Sequence, residues 1–216
     1  MVAIEPLGDR AFLAHFADEQ GAARWATAVR TAHLDGVTDV VLAYRSAAVF
    51  ADPDRADLDE LEGVLSSFRP SAEGGLPSRL HVVPVLYDGP DLGPVAARLS
   101  VTPDEVAARH CGETYDVFAL GFLQGFPYAG YLPPSLGRLP RRAEPRLKVP
   151  AGSVAIAGRQ TGIYPRESPG GWHLLGRTPI RIALPDEGYF PIRAGDRIRF
   201  RSIGTEEFED LRDARL

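Results

Sequence analysis

The sequence predicts an α+β protein in two parts, a small N-terminal α/β sandwich-like domain over residues 1–75 and a β-rich barrel or sandwich domain over residues 80–216. Three features carry this reading. The first 70 residues alternate strand and helix periodicities, as expected for an open sheet with helices packed on one face. The segment RPSAEGGLPSR, Arg69 to Arg79, is dense in proline, glycine and small residues and reads as a linker. From Tyr115 onward, short β-type runs alternate with Gly- and Pro-rich loops.

Taken in order, a strand is expected over Arg10 to Phe16, a helix over Ala22 to Thr31, and strands over Val37 to Tyr44 and Ser46 to Asp52. A second helix is expected over Arg55 to Phe68. Asp52, Pro53 and Asp54 suit its N-terminus, and Leu58, Leu61, Val64 and Leu65 recur at helical spacing. The second part opens with a strand, His81 to Tyr87. The segment PDLGPVAARLSVTPDEVAARH then gives two short helices, the second capped by Thr102 with Pro103 at its first position and Asp104 and Glu105 in its first turn. The β-type runs that follow are YDVFALGF, SVAIAG, PIRIAL and DRIRFRSI.

The 216-residue chain is 44% hydrophobic and 25% charged, which suits a globular protein and excludes a disordered or fibrous one. Its single cysteine, Cys111, rules out an intramolecular disulfide and a cysteine zinc site. The start MVAIEPLGDRAF does not read as a signal peptide and no apolar run approaches a membrane span, so a cytoplasmic location is expected. The net charge of −5 is unevenly placed. Between residues 138 and 181, nine basic side chains (Arg138, Arg141, Arg142, Arg146, Lys148, Arg159, Arg166, Arg177 and Arg181) face two acidic ones, Glu144 and Glu167. A local positive field on an acidic chain favours an anionic ligand or an acidic partner, and argues against nucleic acid, which usually selects a basic excess across the whole domain.

The same stretch carries the candidate chemistry. Pro150 to Pro179 is rich in glycine and proline, residues that fix loops and admit ligands close to the backbone. His173 stands in the densest polar loop and is the candidate acid or base; Arg166 and Arg177 are candidates to stabilise developing negative charge. Tyr128, Lys148, Gln160, Tyr164 and Glu167 are candidate substrate-binding residues. Lys148 is the only lysine, against 23 arginines. Phe122, Phe126, Tyr128 and Tyr131 crowd one turn region; aromatic faces beside arginines suit a planar ligand, whereas Phe122 and Phe126 read better as a hydrophobic plug. His110 and Cys111 are sequence neighbours on a predicted helix and point in different directions, so they are not read as a catalytic pair. No His or carboxylate cluster has metal-ligand spacing, and neither a phosphate-binding Gly-Lys loop nor a nucleophile elbow occurs.

These residues resemble the family of the B-type subunit of 5-oxoprolinase, also described as allophanate hydrolase subunit 1 and as the kinase inhibitor KipI. The resemblance runs from PLGDRAFLAHF and AYRSAAVFADP through PDLGPVAARLSVTPDEVAARH, GFLQGFPYAGYLP and PRRAEPRLKVPAGSVAIAGRQTGIYPRESPGGWHLLGRTP. It implies a C-terminal cyclophilin-like β-barrel, likeness to the carboxyltransferase part of urea carboxylase, and an obligate C-type partner resembling allophanate hydrolase subunit 2. It further implies an A-type subunit and ATP, with magnesium, in the opening of 5-oxo-L-proline to L-glutamate, this chain being inactive alone. The alternatives are a subunit acting on allophanate or another urea derivative, and an inhibitor of a sensor histidine kinase. Gln124, the position of a family proline, Ala129, the position of a family leucine, and the shortened turn LYDGPDLG depart from the pattern beside the expected pocket.

Overall fold

The computed structural model describes residues 2–69, 78–137 and 139–216, so most of the expected linker and the first arginine of the basic stretch, Arg138, lie outside the described residues. The chain divides into two compact units, Met1–Ser78 and Arg79–Leu216.

In the first unit β1 (Ala3–Pro6), β2 (Ala11–His15), β3 (Val37–Ala43) and β4 (Ser46–Ala51) form an antiparallel sheet in the order β1-β2-β4-β3. β4 alternates half-buried and buried positions, as a one-sided strand must, with Ala47, Val49 and Ala51 inward. Helix α1 (Glu19–Ala32) packs on β3 and β4 through Ala22, Trp25, Ala26 and Val29. Asp18 caps it, its carboxylate accepting the Gly21 N–H at 2.6 Å. Helix α2 (Leu58–Ser67) begins later than the sequence suggests. The Asp52 carbonyl closes a turn with the Arg55 and Ala56 N–H groups, and Asp57, not Asp52 or Asp54, caps the helix by accepting from Asp59 and Glu60.

In the second unit one strand path runs β5 (Leu80–Val85), β13 (Arg197–Ser202), β6 (Thr114–Leu120), β7 (Pro127–Gly130), β10 (Gln160–Ile163), β9 (Ser153–Ala157) and β12 (His173–Arg177). Only the β5–β13 pair is parallel. The ladder is not closed: its ends meet at a single bridge, where Leu86 and Arg177 exchange N–H to carbonyl bonds of 2.9 Å. A separate two-stranded flap pairs β8 (Arg146–Val149) with β11 (Ser168–Gly170). The run PIRIAL forms no strand. Ile180, Ile182 and Ala183 are buried, while the Arg181 backbone bonds to Ala214 and Leu216 of the C-terminal tail, so its apolar pattern reflects core packing without a ladder.

Helices α3 (Leu92–Leu99) and α4 (Pro103–Cys111) pack on each other, and α4 also on β13. Thr102 and Glu105 form a reciprocal capping box. The remaining helix, α5 (Thr205–Asp210), buries Phe208. Among the described residues no helix is long and apolar enough to cross a membrane.

His110 is fully buried in α4, its ring stacked at 4.4 Å on Phe200. Burial lowers its pKa to about 3. The unfolded chain therefore binds a proton between roughly pH 6.5 and 3 that the folded chain refuses, so stability present at neutral pH is lost as pH falls through that window. Between pH 7.5 and 5.5 the wild type should lose about 1.4 kcal/mol more unfolding free energy than His110→Gln. Urea titrations at both pH values measure this, and equal losses would exclude the buried neutral imidazole.

Candidate functional site

The chain after Val85 turns away from β5 and is bolted to β12. Leu86 pairs with Arg177, the Gly89 N–H bonds to Leu175 and the Asp91 N–H to Leu174. This approach needs two glycines. A Cβ on Gly89 would lie 2.3 Å from the Leu174 oxygen, and one on Gly176 would lie 2.3 Å from the Leu86 oxygen.

The strap delivers Asp91, the residue before α3, into a buried position with 3% exposure. It makes no helix-capping side-chain bond. Its Oδ1 accepts from Arg142 at 3.0 Å and from Arg146 at 2.8 Å, and its Oδ2 accepts from Arg146 at 2.8 Å and from the Leu174 N–H at 2.7 Å. Burial alone would raise the Asp91 pKa. The hydrogen bonds from Arg146 and Leu174 and the charges of both arginines outweigh it and hold the carboxyl below the ordinary value. The Arg142 N–H also bonds to the Gly171 carbonyl at 2.8 Å, which lays the basic segment against β11 and Trp172.

Under this segment sits an aromatic cluster. Phe126 meets Tyr128, Tyr164 and Trp172 edge-on at 5.0, 5.2 and 5.5 Å. Tyr164 is almost fully buried, and its hydroxyl accepts a backbone N–H from Trp172. Burial raises its pKa, against that bond and the charges of Arg141 and Arg146, which lower it. A Cβ on Gly170 would come within 2.4 Å of this hydroxyl. Phe122 caps the cluster with positive φ, 60% exposed and edge-on to Phe126 and Tyr164.

The sequence-predicted residues fall in five places. Arg166, Lys148 and Glu167 lie on or next to the flap, where Lys148 pairs with Glu167 at 3.3 Å and both are exposed. Arg166 is exposed, and no carboxylate among the described residues pairs with it. Tyr128 and Tyr164 belong to the aromatic cluster beneath. Gln160 stands at the far end of β10, opposite Gly130 and next to Arg159, whose guanidinium stacks 3.8 Å over Tyr131. His173 is buried, and its Nε2–H donates to the Pro140 carbonyl at 2.8 Å. Arg177 lies at the other end of β12, roughly 13 Å along the strand. There it pairs with Asp88 and covers the Phe208 ring at 4.5 Å. The structure thus brings Arg166, Lys148, Glu167, Tyr128 and Tyr164 to one region and leaves Arg177 and Gln160 outside it.

Asp91 escapes sequence reading because an Asp before a short helix looks like an ordinary cap. Arg142 and Arg146 are visible only as members of a charge excess, and Arg141 joins them as an exposed cation beside Tyr164. The cations fit carboxylate or phosphate oxygens. Among the described residues no group of three or more His, Cys, Asp or Glu side chains is placed to hold a metal ion.

The family described as carboxyltransferase domain, subdomain C and D, matches residues 2–188. The chain is 40% identical over 182 residues to the B-type subunit of 5-oxoprolinase from Escherichia coli O157:H7, covering 82% of this chain and 83% of the relative. It is 33% identical over 232 residues to the protein of the same name from Bacillus subtilis strain 168, covering 97% and 96%. Among solved structures, TTHA0988 superposes with a TM-score of 0.80 at 40% identity over 90% of this chain; the chain spans 40% of that protein's length.

Removing the Asp91 charge strands two arginines around a neutral amide. Asp91→Asn should cost about 3 kcal/mol of unfolding free energy at pH 7. Asp88→Asn, which breaks only the half-exposed pair with Arg177, should change stability by less than about 1 kcal/mol. Denaturant melts of the two variants compare them, and equal costs would remove Asp91 from its central place.

Proposed function

The chain belongs to the carboxyltransferase-domain family of subdomains C and D, and from that premise we propose that it is the B-type subunit of an ATP-dependent 5-oxoprolinase. In this reading it acts with a C-type and an A-type subunit to open 5-oxo-L-proline to L-glutamate. The observation that carries the reading is the cation surplus held over the aromatic cluster. Arg142 and Arg146 share one carboxylate, Arg141 is exposed beside Tyr164, Arg166 is exposed next to the flap, and half-buried Tyr128 and exposed Phe122 present aromatic faces over buried Tyr164 and Trp172. A small ring bearing a carboxylate meets both demands. The Leu86–Arg177 bridge supports reading the second unit as a cyclophilin-like barrel with one loosely joined seam.

An unstrained lactam is a poor electrophile, and phosphorylation of its amide oxygen would activate it. The arginines of this chain would hold the substrate carboxylate and offset charge that develops on the ring oxygen. They fit anionic oxygens, not a divalent ion, so ATP and its magnesium are assigned to a site shared with or supplied by the partner subunits. His173 is the proposed acid or base. Its Nε2–H is committed to Pro140, so Nδ1 is the atom through which it would move a proton.

The purified chain alone should give no 5-oxoproline-dependent ATP hydrolysis, and addition of A- and C-type subunits should restore it. Continued inactivity of the full set would overturn the reading, and turnover of allophanate instead would move it to urea-derivative chemistry. In the active complex Arg166→Ala should raise KM for 5-oxoproline about tenfold, whereas Arg177→Ala, outside the cluster, should change it less than about threefold. His173→Gln should flatten one limb of the pH–rate profile; an unchanged profile removes its proton-transfer role.

A further inference from the structure

A second polar system meets the strap at Tyr87. The Tyr87 hydroxyl is 2.6 Å from His110 Nδ1, and His110 Nε2 is 2.8 Å from Thr161 Oγ1. Thr161 in turn donates to the Ala155 carbonyl at 3.2 Å, and the Cys111 thiol donates to the Tyr87 oxygen at 3.2 Å. His110 and Cys111, expected to point in different directions, both reach the Tyr87 oxygen.

One direction of hydrogen bonding gives every O–H and N–H of the set an oxygen or nitrogen acceptor. Thr161 spends its single proton on Ala155, so its oxygen must receive a proton from Nε2–H. Nδ1 is then bare and accepts from Tyr87, whose oxygen accepts from Cys111. The opposite tautomer would draw the Thr161 proton away from Ala155 to Nε2 and leave the Tyr87 proton only the Cys111 sulfur, a weak acceptor, which is the poorer arrangement in a buried site. The chain therefore runs Cys111 to Tyr87 to His110 to Thr161 to Ala155 and ties α4 to β10 and β9.

Tyr87 is also part of the strap that presents Asp88 and Asp91. We propose that His110 is a positioning residue: as the neutral Nε2–H tautomer it grips Tyr87 and so fixes the strap, and through it the Asp91 carboxylate that aligns Arg142, Arg146 and the Leu174 N–H. Burial of the imidazole, which keeps it uncharged, agrees with this role. The consequence for turnover rests on the anion-site reading above; the structural coupling does not.

Nitrogen-15 NMR of the histidine-labelled chain should find His110 as the Nε2–H tautomer at neutral pH, and the Nδ1–H tautomer would overturn the proposal. Tyr87→Phe keeps the ring and deletes the hydroxyl. It should speed hydrogen exchange at the Leu174 amide about five- to tenfold while amides of β9 and β10 keep their protection. Uniform loss of protection, or none at Leu174, would also overturn it. His110→Gln can accept from Tyr87 and donate to Thr161, so it should restore Leu174 protection relative to His110→Leu; failure of that rescue counts against the proposal. In a complex active on 5-oxoproline, Tyr87→Phe should raise KM several-fold with kcat nearly unchanged. If the wild-type complex is inactive on 5-oxoproline while the tautomer and exchange results hold, the substrate reading fails and the positioning role stands.

Discussion

The basic surface of the second unit is organised around one buried carboxylate. Two arginines and a β12 amide converge on the carboxylate of Asp91, the residue before α3, and both arginines are held by that charge. Asp91 reaches its place because the strap lies on β12 closer than side chains permit, at Gly89 and Gly176. Backbone geometry therefore sets the site before any side chain contributes. The arginines are then held by charge-assisted bonds that are shielded from water on the carboxylate side and open on the other.

This arrangement resolves a tension in the charge pattern. Clustered arginines repel one another, and a full complement of carboxylates would neutralise the field that a ligand needs. One shared carboxylate fixes the geometry of two arginines while leaving positive charge in excess. The exposed Lys148–Glu167 pair does little of this work, since such pairs contribute at most about 1 kcal/mol. The flap that bears it is held instead by the backbone pairing of β8 and β11 and by Tyr164 packed beneath Gly170.

How far the sequence alone reaches depends on how local each determinant is. The Thr102 capping box is written in four consecutive residues and is legible there, as are most strands of the first unit. The start of α2 is not, because Asp52, Asp54 and Asp57 all suit a cap and only the turn closed by the Asp52 carbonyl selects the last. PIRIAL has a strand's composition but pairs with the tail instead of a ladder. The basic stretch is visible as composition. The partner that organises it is not, since Asp91 lies more than 50 positions from Arg142 and Arg146. The Tyr87–His110–Thr161 chain is hidden for the same reason: its members are ordinary residues until the fold aligns their protons.

The spacing along β12 bears on why such a chain would need a partner. His173 and Arg177 stand roughly 13 Å apart along the strand, and their side chains are engaged by Pro140 at one end and by Asp88 at the other. A substrate of a few ångströms cannot touch both. Around Tyr164 the chain offers cations and aromatic faces but no cluster of three or more carboxylate, His or Cys side chains for a metal among the described residues. Such a surface can bind and orient an anion and blunt its charge. It does not by itself supply the groups that would phosphorylate an amide oxygen and then deliver water to it. In the reading proposed here those groups belong to the companion subunits, which makes the cation surplus a docking feature for the substrate rather than a complete catalytic centre.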